Sequence, residues 1–286
     1  MGSLNLLPFF ATPDLLPAPL PTAEAITASQ DILKEHSGRR IVRVGIHFIV
    51  KYGAGVSLTE GENMLFVKQF STIQIPNVYA LYSRQNGGHN LPTNYIVMEN
   101  IVGDSLESCW VSLNTEAKLA ISDQLRIHFT RLRQIPSPGY FGLLGKRPFE
   151  HSVFWAGDDS DRQVISGPFD SEGQMLEAMV QKYLHNNPGY RKSEYYSRML
   201  PLVLHNHASV FTHGDFQRKN VLVRNDGTLN IIDWEAAGWY PSFWEYVMTM
   251  YSCRWDDDWH SWAVKILDEY PNEYAWMDMV FRELWS

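Results

Sequence analysis

The chain has little with which to build a covalent or metal-held framework. Its 286 residues contain two cysteines, Cys109 and Cys253, with neither metal-ligand spacing nor a disulfide pattern, and the cytosol is therefore the default compartment. The apolar stretch Leu4 to Phe10 is short, lacks a basic leader and is broken by Pro8. It is expected to be neither a signal peptide nor a membrane span. Met1-Gly2 opens a myristoylation pattern, but Leu6 stands where Ser or Thr is required. Positive charge is in deficit too: 24 Lys and Arg against 32 Asp and Glu give a net charge of -8. This argues against nucleic acid as a partner, because such binding rests on neutralising phosphates with a basic face. It is compatible with a cationic small molecule. There are no internal repeats.

What is present suits a folded enzyme. Hydrophobic residues make up 45% of the chain, enough for one two-lobed unit or two small domains. Pro8, Pro13, Pro17, Pro19 and Pro21 predict a stiff, irregular leader over 1–37, packed on the surface or partly disordered. Ile41 to Val44 and Ile46 to Tyr52 flank Gly45 as two strands, with Lys51 near the end of the second. A helix follows, with apolar Met64, Leu65, Phe66, Val67 and Phe70 preceded by Glu60 and Glu62. Either acid also suits a first helical turn on dipole grounds alone.

Further along, the spacing predicts a helix over 115–133 with Asn114 as N-cap, and Ala117, Ile121, Leu125, His128 and Leu132 on one face. His128 reads as a satisfied core histidine. Residues 136–170, rich in Pro and Gly and carrying Gly157, Asp158, Asp159 and Asp161, read as a long loop region suited to substrate contacts. Trp255, Trp259 and Trp262 recur at i, i+4, i+7 as a buried helix face, opened by Asp256-Asp257-Asp258. The sharper alternative is an acidic, aromatic rim for a cationic acceptor.

The run His213-Gly214-Asp215-Phe216-Gln217-Arg218-Lys219-Asn220 carries the chemistry. Thirteen residues after Asn220, Asp233 closes a second apolar run that starts at Leu229. Val221-Leu222-Val223, the turn around Asp226-Gly227 and Leu229-Asn230-Ile231 form a strand, a turn and a returning strand. Pairing Val223 with Leu229 and Val221 with Ile231 brings Asn220 and Asp233 to its open end. One amide oxygen and one carboxylate make a hard-oxygen site for Mg²⁺, completed by water and substrate phosphates. Asp215, in the loop before the hairpin, is placed to accept a hydroxyl proton. Positioning, metal charge and an oriented nucleophile are what phosphoryl transfer needs.

These residues resemble the aminoglycoside phosphotransferase and choline kinase family, whose catalytic loop is close to His-Gly-Asp-x-x-x-x-Asn and whose metal aspartate stands in Ile-Asp-Trp or Ile-Asp-Phe. The chain is most similar to the fungal branch. Ile75-Pro76-Asn77-Val78, Tyr95-Ile96-Val97-Met98-Glu99, Gly167-Pro168-Phe169-Asp170-Ser171-Glu172 and Asp233 to Pro241 extend the likeness, which runs from about residue 38 to about 250. The resemblance implies an α+β, protein-kinase-like, two-lobed fold. A β-rich N-lobe would span 38–101 and a mostly helical C-lobe 102–286.

The same resemblance implies that Lys51 holds the nucleotide phosphates, paired with a helix glutamate. Glu60 is favoured for sharing the face of Met64 and Val67, with Glu62 the alternative. Met98, Glu99 and Ile101 would read the adenine edge through backbone groups, Asn220 and Asp233 would hold Mg²⁺, and Asp215 would serve the acceptor. The implied function is transfer of the γ-phosphoryl group of Mg-ATP, or GTP, to a hydroxyl of a small molecule by a cytoplasmic monomer or homodimer. One departure stands out: no Gly-x-Gly-x-x-Gly precedes Lys51, and Gly38 and Gly45 alone bracket the first strand. The phosphate-covering loop must then be a short turn. It favours the other reading, a kinase fold kept for binding or for different chemistry.

Overall fold

The computed structural model describes residues 7–85, 91–156 and 159–284; Met1 to Leu6, Gly157 and Asp158, named above, lie outside them. In chain order the elements are β1 (Phe9–Phe10), α1 (Ala23–Ala28), β2 (Ile32–His36), β3 (Arg39–Val44), β4 (Phe48–Gly53), α2 (Thr59–Phe70), β5 (Val78–Arg84), β6 (Thr93–Glu99), β7 (Asp104–Ser105) and α3 (Leu106–Cys109). They continue with α4 (Thr115–Arg133), α5 (Asp159–Ile165), α6 (Glu172–Asn186), α7 (Lys192–Val203), β8 (Ser209–Thr212), β9 (Val221–Val223), β10 (Leu229–Ile231), β11 (Gly238–Pro241), α8 (Trp244–Tyr251), α9 (Trp259–Ile266) and α10 (Pro271–Leu284). The chain forms two compact units. One holds the described residues up to 108 together with 221–235, and the other holds 109–220 and the residues from 236 on. The first is mainly β and the second mainly helical, an α+β protein.

The first unit is built on a six-stranded antiparallel sheet in the order β1-β5-β6-β4-β3-β2. Strand alternation places Phe48, Val50 and Tyr52 of β4 in a core shared with Ile26, Val42, Tyr79, Tyr95 and Val97. Lys51 therefore projects from the opposite face. Where an irregular leader is expected, residues 9–36 supply β1, α1 and β2: Phe9 pairs with Leu81, Thr22 caps α1 by accepting the Ala25 amide, and His36 pairs with Arg39. β2 is exposed along its whole length, so no burial pattern marks it in the sequence. The hairpin β9–β10 groups with this unit, and its register is the expected one, Val223 opposite Leu229 and Val221 opposite Ile231.

In the second unit α4 packs on α9, α6 on α7 and α8 on α10. Helix α4 starts as its sequence demands, with the Asn114 side chain accepting the Ala117 amide at 2.8 Å. Ile121, Leu125, His128 and Leu132 are buried along it. His128 is not satisfied, however: its Nδ1 is buried without a hydrogen-bond partner. Residues 136–156 are irregular, as expected, and α5 follows, but the segment is packed into the core. Phe141 bridges to Phe169 and Gly142 to Trp239, while Phe149, Phe154, Tyr240 and Trp244 stack in the core. These partners lie up to a hundred residues apart, which local composition cannot reveal. Trp259 and Trp262 are buried on α9 as expected, but Trp255 lies before the helix, 55% exposed.

Candidate active site

The expected site residues fall into two groups, one in each unit. In the first unit, Lys51 Nζ donates to Glu60 Oε1 and to Asp233 Oδ1, both at 2.7 Å. Two carboxylates, nine and 182 residues away in sequence, thus share one ammonium group. The structure selects Glu60 over Glu62 as the partner of Lys51. Glu60 is only 3% exposed in its side chain. Burial acts to lower the Lys51 pKa, but the Glu60 and Asp233 carboxylates outweigh it and hold the lysine protonated well above its ordinary range. Burial pushes the Glu60 carboxyl up, opposed by Lys51.

Asp233 follows β10 with a left-handed backbone, φ +66°, a conformation in which aspartate is among the better tolerated side chains. The next residue is anchored twice, the Trp234 carbonyl accepting from Asn63 Nδ2 at 2.9 Å and its indole N–H donating to the Ile231 carbonyl.

Met98 and Glu99 end β6, and Ile101 follows it. The Glu99 amide donates to the Asn77 carbonyl and the Asn100 amide to the His47 carbonyl, both at 2.8 Å. Those two amides are committed inside the unit. Arg224 and Asn77 hold the Glu99 carboxylate, at 2.7 and 2.8 Å.

In the second unit, β8 delivers the loop from His213 to Asn220. Asp215 accepts from Gln217 Nε2 and from Asn220 Nδ2, the latter at 2.9 Å, and Lys219 stands 3.6 Å from its Oδ2. Asn220 Nδ2 also donates to the Asp215 carbonyl at 2.8 Å. Its amide nitrogen is thus committed to Asp215, leaving Oδ1 as the atom able to meet a cation. Gly214 turns the loop at φ +82°, and a Cβ there would lie 2.6 Å from the Ala236 carbonyl oxygen. No other residue fits that turn without displacing backbone.

Two supports of this loop escaped the sequence reading. Glu245 on α8, 1% exposed, accepts the backbone amides of His213 at 2.7 Å and Gly214 at 3.2 Å. Burial pushes its carboxyl up, against the pull of His213 and Arg133. The available signal was a lone acid within Phe243-Trp244-Glu245-Tyr246-Val247. Arg218, in the loop itself, is bound to Asp257 at 2.6 Å and lies over the rings of Trp110 and Trp259, 5.6 and 5.4 Å from their centroids. Lys118 likewise covers Trp110 and pairs with Asp258, which also accepts the indole N–H groups of Trp110 and Trp262. These donors hold the Asp258 carboxyl below its usual range against the opposing effect of burial. The acidic, aromatic rim is therefore occupied by the protein's own cations.

Asn220 Oδ1 in one unit and the Asp233 carboxylate in the other are each hard oxygen donors of the kind Mg²⁺ takes. Among the described residues no group of three or more His, Cys, Asp or Glu forms a protein-only metal cage. Also among the described residues, no helix is long and apolar enough to cross a membrane.

The profile of the phosphotransferase enzyme family (APH) matches residues 60–280. No curated protein matches the chain. Among solved structures, the streptomycin-ATP ternary complex of APH(2'')-IIa is similar with a TM-score of 0.54 and 16% identity, over 88% of this chain and 80% of that one. The apo form of a thermostable mutant of aminoglycoside phosphotransferase APH(4)-Ia gives 0.56 and 14%, over 91% and 85%. The GDP complex of aminoglycoside 2'-phosphotransferase-IIIa gives 0.55 and 14%, over 89% and 80%. At such identities the likeness establishes the fold, which is protein-kinase-like.

Proposed function

The chain belongs to the phosphotransferase enzyme family, and from that premise we propose that it transfers the γ-phosphoryl group of Mg-ATP or Mg-GTP to a hydroxyl of a small molecule. The observation that carries this reading is Lys51 bridging Glu60 and Asp233 at 2.7 Å each. A lysine so held presents a fixed point charge to phosphate, next to the carboxylate that would bind the cation. The similar solved structures are complexes with ATP and with GDP, which supports a nucleotide donor of either base.

Each residue then has a part. Asp233 and Asn220 Oδ1 would hold Mg²⁺, whose charge offsets that of the transferring phosphates. Lys51 meets the phosphates, and Glu60 fixes its position. The Ile101 amide, with the Glu99 carbonyl, would read the base edge, beside Met98. Asp215 accepts the hydroxyl proton of the acceptor and aims its oxygen, while Glu245 and Arg218 hold the loop that carries it. The N-lobe and C-lobe division near residue 101, a cytoplasmic setting and a monomeric or homodimeric state complete the proposal.

The test is a melting shift with Mg-ATP and Mg-GTP, followed by a screen of hydroxylated small molecules for nucleoside diphosphate release. Ligand at 100 times its Kd should stabilise the fold by about 2.7 kcal/mol. Absence of any shift at saturating nucleotide removes the donor and sinks the reading. Binding without diphosphate release across the screen favours a kinase fold kept for binding.

A further inference from the structure

The proposed donor site lacks a glycine-rich phosphate loop, and the β2–β3 hairpin stands where the chain leads towards Lys51. Its turn is two residues, Ser37 and Gly38, with φ +47° and +74°. Such a turn carries no run of free amides to wrap a phosphate. It is also pinned. The Gly38 carbonyl accepts the Gly55 amide at 3.1 Å, and a Cβ on Gly53 would lie 2.0 Å from that same oxygen. The backbone here is committed to itself.

The side chains are arranged differently. His36 pairs across the hairpin with Arg39, Lys34 with Ile41, and Ile41 in turn with Lys51 on β4. Directly opposed residues share a sheet face, so Lys34, His36, Arg39 and Lys51 all project from one face of three strands. They line a single cavity of about 410 Å³, which also takes in Glu60, Asp233 and Glu235. Lys51 is committed to Glu60 and Asp233. Arg39 is paired with Glu235 at 2.7 Å, but both side chains are about half exposed, at 49% and 48%. Such a pair contributes little and is readily exchanged. Lys34 forms no ion pair among the described residues.

We propose that this hairpin grips a polyphosphate by side chains rather than backbone amides, with Arg39 exchanging Glu235 for the anion and Lys34 and His36 flanking it. An arginine fork matches phosphate oxygens in two parallel bonds, and a polyphosphate is a more highly charged acceptor than one carboxylate. Glu235 holds Arg39 in place until the anion arrives and competes with it for the fork. This rests on the donor reading above and names the residues that replace the missing loop.

Calorimetry on the full chain with two probes, Mg-ATP and inorganic tripolyphosphate, tests it in both directions. Arg39→Ala should weaken both by roughly 10- to 100-fold, the weight of a charge-assisted hydrogen-bonding group. Glu235→Gln should tighten tripolyphosphate by about two- to fivefold, the weight of one exposed ion pair, a gain that misfolding cannot imitate. Tripolyphosphate binding that depends on Arg39, without any nucleotide binding, upholds the grip and overturns the kinase reading. Nucleotide binding that is equal in wild type and Arg39→Ala overturns the grip and leaves the kinase reading standing. Wild-type protein that binds neither probe overturns both.

Discussion

The two halves of the proposed site are held in opposite ways. In the mainly β unit the functional charges bind one another, Lys51 to Glu60 and Asp233, from segments up to 182 residues apart. In the helical unit Asp215 and Asn220 bind each other across five residues, and their loop is hung from outside by Glu245 and by the Arg218 socket. One cluster is its own scaffold. The other is a small local knot whose position depends on remote supports. Damage to the first should therefore cost binding and stability together, whereas damage to the second should separate catalysis from both.

The largest effect should come from Asp215→Asn. The substitution keeps one oxygen to accept from Asn220 but removes the base, so turnover should fall by about 10²–10⁴, with nucleotide affinity within a few-fold. Single-turnover kinetics beside calorimetry would show it. Normal turnover makes Asp215 structural and erases the contrast between the halves.

Lys51→Met comes next, because it strips Glu60 of its counter-charge in a buried setting. The fold should lose about 3–5 kcal/mol by urea unfolding, and the nucleotide-dependent melting shift should vanish. The double substitution Lys51→Met with Glu60→Met should recover most of the stability and none of the binding. Recovery of both would mean that the triad is scaffold alone.

Much of this contrast was legible in the sequence, and unevenly so. The hairpin register and the start of α4 follow from a period of 2 and from cap chemistry, which act over a few residues. The pairing of Lys51 with a glutamate came instead from the family resemblance. A helical face shared with Met64 and Val67 favoured Glu60 over Glu62, and the hydrogen bond to Lys51 decides it. Glu245 did not, because its partners are backbone amides more than thirty residues upstream. β2 stayed hidden because an exposed edge strand shows no alternation, and prolines before it suggested irregular chain. Residues 136–170 hid their packing for a related reason: Gly and Pro there shape turns between core contacts made with distant segments.

A third test uses pH on the helical unit, where His128 sits buried on α4. Burial, helped by nearby Arg131, lowers its pKa from 6.5 to about 4. The unfolded chain thus takes up this proton before the folded one does. The histidine's contribution to stability is full above pH 6.5 and is lost as pH falls towards about 4. The shift corresponds to roughly 3 kcal/mol. His128→Leu also removes the unpartnered Nδ1, so its stability should fall less steeply over that window. His151, likewise lowered to about 4 by burial, keeps part of the slope. Identical acid profiles for wild type and variant would show that His128 is not the group that resists protonation.

The smallest expected effect asks whether the loop hangs from its socket. Arg218→Lys keeps the charge beside Asp257 but loses the planar face that lies over Trp110 and Trp259, worth about 0.5–2 kcal/mol for a partly desolvated cation over aromatic rings. Because Arg218 and Asn220 share one short helical turn, kcat should fall a few-fold with little change in nucleotide affinity. Lys219, the residue between them, is 47% exposed and 3.6 Å from Asp215, so Lys219→Ala should cost the fold less than about 0.5 kcal/mol. The two variants bracket the same turn from its buried and exposed sides. Equal stability losses would mean that the socket does not carry the loop, and the helical half of the site would then be as self-supporting as the lysine triad.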